Sequence, residues 1–243
     1  MSPVEDHSLA DFTRTRWSMV RGLQGAHADR ARDALTELAV RYWYPVYAYV
    51  RRCGHPQEIA QDITQAFLQQ ISDDLRLNKA QPPGRFRDWL LARLNGFLGG
   101  EWRELAEGGQ VPGAPPLPEL ESRNRGEHEQ DETPELAYRR SFALEVLMRG
   151  LKRLRGEAGE AGHLDMCQAL EPFLARDPLP GQYDELGRKL GVRPLALVLA
   201  LKRLRQRFRE LVREELADTV ASADEWVAEQ EALLAVLDRQ GRP

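Results

Sequence analysis

Little in this sequence suits a bilayer, a disulfide framework or a metal centre. Its longest unbroken apolar run, Leu195 to Leu201, is seven residues, far short of the roughly 20 that span a bilayer. The opening residues, MSPVED, form neither a basic nor an apolar leader segment, so no secretory signal is expected. There are only two cysteines, Cys53 and Cys167. Neither has CxxC or Cys/His ligand spacing around it, which points to isolated thiols in a reducing cytoplasm and to no metal. The five histidines (His7, His27, His55, His128 and His163) fall in no HExxH frame. No phosphate-cradling glycine loop and no GxSxG elbow occurs. Carboxylates are plentiful but lie on polar helix faces. The sequence therefore reads as no enzyme, with no cofactor. Strand-like alternation is missing as well, and every strong periodicity is helical.

What is present is a globular composition, 42% hydrophobic and 30% charged over 243 residues, with a net charge of −4. The sum hides an asymmetry, and distribution matters more than total for partners. Residues 184–216 hold nine Lys/Arg and five Asp/Glu, whereas residues 106–135 hold eight Asp/Glu and two Arg. That acidic stretch is rich in Pro and Gly and almost without large apolar residues, the composition of a linker. The fold class expected is all-α, two small helical domains joined by this acidic Pro/Gly-rich linker. The boundaries read as 1–105, a linker over 106–134, a second domain over 135–215 and a helical extension over 216–243.

In the first domain, Leu35, Leu38, Tyr42, Val46 and Tyr49 mark a helix that Pro45 should kink. Gly54 can end it, and Pro56 suits the start of the next. There Ile59, Ile63, Phe67, Ile71 and Leu75 share one side, opposite Glu58, Gln61, Asp62, Gln65 and Gln69. A third helix over 85–103 interleaves Arg85, Arg87, Arg93, Asn95 and Arg103 with Trp89 and Trp102. Such interleaving suits unpaired bases stacked on rings with the backbone held by arginines. It equally suits core tryptophans with arginines snorkelling around them. In the second domain, leucines at 144, 147, 151 and 154 mark one helix, and residues 166–174 another. Residues 182–211 then have the outline of a helix-turn-helix, a short helix, a glycine turn and a longer helix. Leu197, Leu201, Leu204, Phe208 and Leu211 make its packed face. Lys202, Arg203, Arg205, Arg207 and Arg209 load the others with positive charge, as phosphate binding requires. A plain helical hairpin with solubilising arginines has the same pattern. After it, Ser222 to Glu225 reads as a capping box opening a short helix with Trp226, Leu233 and Leu237.

The order of these features resembles one family. The run RYWYPVYAYVRRCGH (41–55), then IAQDITQAF (59–67), then GRFRDWLL (84–91), is similar to region 2 of extracytoplasmic-function (ECF) RNA polymerase sigma factors. The acidic linker and the helix-turn-helix from Tyr183 to Arg209 resemble that family's connector and region 4. The resemblance covers roughly residues 13–215 and implies a dissociable initiation subunit, monomeric when free. Its partners would be core RNA polymerase, through the clamp helices and the flap, and promoter DNA. It implies docking on polymerase through Glu58, Gln61, Asp62, Gln65 and Gln69. It implies −10 contacts through Arg85, Arg87, Trp89, Arg93, Asn95, Trp102 and Arg103. The −35 contacts would come from Arg193, Val198, Lys202, Arg203 and Arg205.

Two departures qualify the resemblance. The family's clamp-binding helix carries a denser acidic run, whereas Ile59, Gln61 and Ala66 stand here where acids are usual. Phosphorylation of Thr64 by a Ser/Thr protein kinase would restore negative charge there; an unmodified boundary threonine is the plain alternative. The recognition helix begins Arg193-Pro194-Leu195, and Leu195, Val198 and Leu199 cannot all face the core of one helix. They either contact thymine methyl groups or cover a partner surface. Both departures leave room for a second reading, a helical sigma-like adaptor that binds polymerase or a kinase without selecting promoters.

Overall fold

The computed structural model describes residues 28–76, 86–100, 115–127 and 132–217. They form eight α-helices and one 3-10 turn, with no strand among the described residues, so the described residues are all-helical as the periodicity predicts. No described helix is long and apolar enough to cross a membrane. The chain separates into two compact units, Met1–Glu145 with Leu216–Pro243 and Val146–Glu215.

The first unit is built on α1 (Ala28–Arg52) and α2 (Gln57–Arg76), which pack on each other along their length. α1 runs through Pro45 and ends at Gly54, whose φ of 92° is open to glycine and strained for other residues. The Ala60 N–H then bonds the Pro56 carbonyl at 2.8 Å, starting α2. α3 (Phe86–Leu98) contributes Phe86, Leu90 and Leu94 to a core with Leu38, Tyr42, Trp43, Tyr47, Ile63, Phe67, Leu68 and Ile71. The Tyr42 ring lies 5.3 Å from that of Phe86 and 5.7 Å from that of Phe142. Burying each such ring or branched side chain contributes about 1.5–3 kcal/mol. The periodic stripes read from sequence are therefore the faces that meet.

The stretch whose composition predicts a linker carries a helix, α4 (Leu117–Glu127), which packs on α1 and α2. Leu120 is buried on that face, beside Glu121. The Glu121 carboxylate accepts from Arg51 Nε at 2.7 Å and Nη2 at 3.1 Å, and from the Tyr47 hydroxyl. Arg123 lies 3.7 Å above the Tyr44 ring and pairs with Glu145 at 2.7 Å. Leu120, Asn124 and the paired charges of Glu121 and Arg123 hold this helix, an apolar content too small to outweigh Pro and Gly in a composition window. The last helix of this part, α5 (Pro134–Glu160), starts on Thr133. The threonine hydroxyl oxygen accepts the Leu136 N–H at 3.3 Å, and Pro134 occupies the first helical position. The boundary between the two compact units falls inside α5.

The second unit gathers the rest of α5 with α6 (Leu164–Leu170), the 3-10 turn Glu171–Phe173, α7 (Gln182–Leu190) and α8 (Pro194–Ala217). Leu170, Phe173, Leu197 and Leu201 form its core at the helix-turn-helix end, with Tyr183, Leu186 and Val192 packed around them. Leu154, Cys167 and Leu211 form a second cluster. At Gly150 a methyl group would lie 3.0 Å from Val212 Cγ2, so α5 and α8 approach closely there. Glu215 closes the contact, accepting from Arg149 at 3.0 Å and from Arg153 at 3.2 Å.

Candidate functional site

On α2 the five polar positions do share a side away from the core, but they differ in reach. Glu58 and Asp62 are exposed, whereas Gln61, Gln65 and Gln69 are half-buried. Gln69 donates to Asp73 at 3.1 Å. The Gln57 side-chain amide donates to Glu58 at 2.9 Å and, with a backbone N–H, holds that carboxyl below its ordinary range. Glu58 therefore keeps its charge at neutral pH. Thr64 sits elsewhere. It is 0% exposed, and its hydroxyl donates to the Ala60 carbonyl at 2.7 Å. The expectation of a phosphorylated Thr64 is corrected by this placement: the hydroxyl is buried away from any kinase, and a dianion there would lose its hydration. The sequence placed Thr64 at the flank of the stripe, and the packing of α2 brings it inside.

α3 divides its predicted nucleic-acid residues in the same way. Trp89 is half-buried, 5.4 Å from the Phe86 ring, and Arg93 reaches over it at 6.0 Å. Arg93 also pairs with Asp74 at 2.5 Å while remaining 44% exposed. Asn95 is exposed, and its side-chain oxygen accepts the Tyr49 hydroxyl. Burial, then Cys53 and Glu135, push the Tyr49 phenol up to about 12, so it stays protonated as the donor. Arg87 is not a surface residue: it is 4% exposed with its guanidinium 5.5 Å from the Phe142 ring, and its carbonyl accepts the Tyr138 hydroxyl. Its predicted −10 role gives way to a packing role. Arg85, Trp102 and Arg103 lie outside the described residues. On this surface Trp89 is half-buried, while Arg93 and Asn95 are exposed.

In the second unit a short helix, α7, is followed by a glycine turn and the longer helix α8. α7 ends at Gly191, with a φ of 68°, and the Val192 N–H bonds back to the Gly187 carbonyl at 2.9 Å. Gly187 is required for a second reason, since a methyl there would sit 2.6 Å from the Val192 carbonyl oxygen. The turn delivers α8 with Leu197 and Leu201 inward and Leu195, Val198 and Leu199 outward, at 70%, 42% and 52% exposure.

The positive charge of α8 is sorted by depth. Arg205 is spent inside the unit. It donates to the Phe173 carbonyl at 2.9 and 2.7 Å, to the Arg176 carbonyl at 2.6 Å and to Asp177 at 2.8 Å. It caps the end of the 3-10 turn, where a cation meets unsatisfied carbonyls, and its expected −35 role does not fit that placement. Arg207 is held by Glu157 at 2.7 Å, and Arg209 folds back to the Arg205 carbonyl at 3.1 Å. Arg193, Lys202 and Arg203 are exposed, and their side chains make no ion pair or hydrogen bond among the described residues. Lys189, on the last turn of α7, is a fourth such cation that the sequence reading omitted; its place beside the turn was the available signal. A groove of about 610 Å³ between α5, α6 and α8 has an apolar floor of Leu154, Met166, Cys167 and Leu170.

Among the described residues no group of three or more His, Cys, Asp or Glu is placed to hold a metal ion. No protein-family model, curated protein or solved structure matches the chain.

Proposed function

We propose that the chain is an RNA polymerase sigma factor of the ECF type, which directs core polymerase to promoters and contributes binding energy and register rather than chemistry. The observation that carries this reading is the α7–α8 helix-turn-helix, whose longer helix turns unpaired cations outward while a separate aromatic helical unit holds Trp89 and Arg93 at its surface. Unneutralised Lys/Arg on an exposed helix is what phosphate contact uses. A half-exposed indole beside an arginine is what an unstacked base uses. The exposed carboxylates Glu58 and Asp62 would meet basic side chains of the polymerase clamp, where a close charge pair contributes from about one to several kcal/mol.

A second reading, a sigma-like adaptor without promoter selection, is favoured by one observation. The exposed acids among the five polar positions of α2 are only Glu58 and Asp62. Run-off transcription with core RNA polymerase separates the two. The sigma reading gives a discrete transcript that depends on the chain; the adaptor reading gives polymerase binding and no discrete transcript.

A further inference from the structure

We infer that the outward face of α8 reads thymine, through the C5-methyl groups that line the major groove, and that it has no means of reading adenine or cytosine directly. This rests on the reading of α7–α8 as a DNA-binding helix-turn-helix. The face opposite Leu197 and Leu201 consists of Leu195, Val198 and Leu199, followed by Lys202, Arg203 and Gln206. From Pro194 to Arg205 there is no Asn, Gln, Ser, Thr, Asp, Glu, His or Tyr. Bidentate recognition of adenine needs a side-chain amide, and cytosine needs an acceptor. The first amide on the face, Gln206, comes three turns into the helix and donates to Glu210 at 3.2 Å. What remains are apolar groups for thymine methyls and cations for guanine edges or phosphates.

The span also fits. From Leu195 to Arg203 is eight residues, roughly 12 Å of helix, about the width of the major groove. Three apolar side chains exposed in that span lose water only against an apolar partner, and the thymine methyl is the one such group a base pair presents there. Charge decides between DNA and a protein as the occupant. Arg193, Lys202 and Arg203 flank the leucines without acidic partners among the described residues, which complements phosphate. Two of the motif's three acids, Asp184 and Glu185, stand in the first turn of α7, two turns before Gly191, and the third, Glu210, lies well beyond Arg203 on α8.

The test is selection from a duplex pool with a randomised core, using the full chain both alone and bound to core RNA polymerase. The selected duplex is then remade with uracil for thymine, which removes the methyl groups and leaves every hydrogen-bonding edge. The result expected is a thymine-rich selected core and binding weakened about 4-fold for each contacted methyl removed. Leu195→Ala and Leu199→Ala, both at exposed positions, should lower affinity for the thymine duplex and abolish the uracil effect. Sequence preference that is indifferent to uracil overturns the inference and leaves the DNA-binding reading standing. If no duplex is preferred in either form, the helix-turn-helix reading itself fails. If the two variants lose polymerase binding while DNA affinity is unchanged, the face is a protein surface and the inference is overturned.

Discussion

The Thr64 hydroxyl donates to the Ala60 carbonyl at 2.7 Å from a side chain with no exposed surface. That bond turns a residue attractive for regulation into one of packing. Thr64→Glu places a carboxylate at a position with no exposed surface and should cost about 3 kcal/mol or more. Thr64→Val keeps the volume and loses only a local back-bond, a change of about 1 kcal/mol or less. Urea unfolding of both variants checks this, and a Thr64→Glu protein as stable as wild type contradicts it.

Arg51 and Glu121 supply a pH dependence. Burial raises the Glu121 carboxyl, but the hydrogen bonds from Arg51 and Tyr47 outweigh it and hold the group below the ordinary carboxylate range. A depressed carboxyl contributes stability that is complete above its unfolded value of about 4.3 and is lost as pH falls through the folded value. Glu121→Gln should therefore lower stability by about 2 kcal/mol at pH 7. It should also flatten the fall in stability seen below about pH 4. Urea midpoints measured across that range report both effects.

The two faces of α8 predict a clean division between arginines. Arg205→Ala removes four bonds to the Phe173 turn region and should lower the melting temperature. Lys202→Ala and Arg203→Ala, at exposed positions without partners among the described residues, should leave melting unchanged. Each should weaken DNA binding and reduce the slope of log affinity against log salt by about one. Calorimetry paired with a salt titration of binding tests the division.

Gly187 and Gly191 differ in why they are glycine. At Gly187 a methyl group meets the Val192 carbonyl at 2.6 Å, and backbone must move. At Gly191 there is open space, but φ is 68°. Gly187→Ala should cost about 3 kcal/mol, and Gly191→Ala about 1–2 kcal/mol. Thermal unfolding should rank them in that order.

The helices were legible wherever the apolar stripe was long. Leu38 to Tyr49, Ile63 to Leu75 and Leu197 to Leu211 recur every three or four residues, and these residues are core or packed against it. α4 was not legible, because its hold on α1 comes from Glu121 and Arg123, whose partners Arg51, Tyr44 and Glu145 are distant in sequence. The candidate surfaces were half legible for a related reason. Spacing places Arg87 and Arg205 on polar-looking turns of their helices, but depth is set by what packs over them, Phe142 in one case and the Phe173 turn in the other. Thr64 is the same lesson in a neutral residue. Periodicity gives the azimuth of a side chain on its helix, and only tertiary packing gives its depth.

The most direct test of the proposed function is transcription by core RNA polymerase on a fragment library of the host genome, with the 5′ ends of the transcripts mapped. The proposal predicts a small set of discrete start sites that appear only when the chain is present. It predicts that Thr64→Val retains them and that a double charge reversal, Glu58→Lys with Asp62→Lys, loses them. Start sites identical with and without the chain, while it still associates with polymerase, would contradict the proposal and leave the adaptor reading in its place.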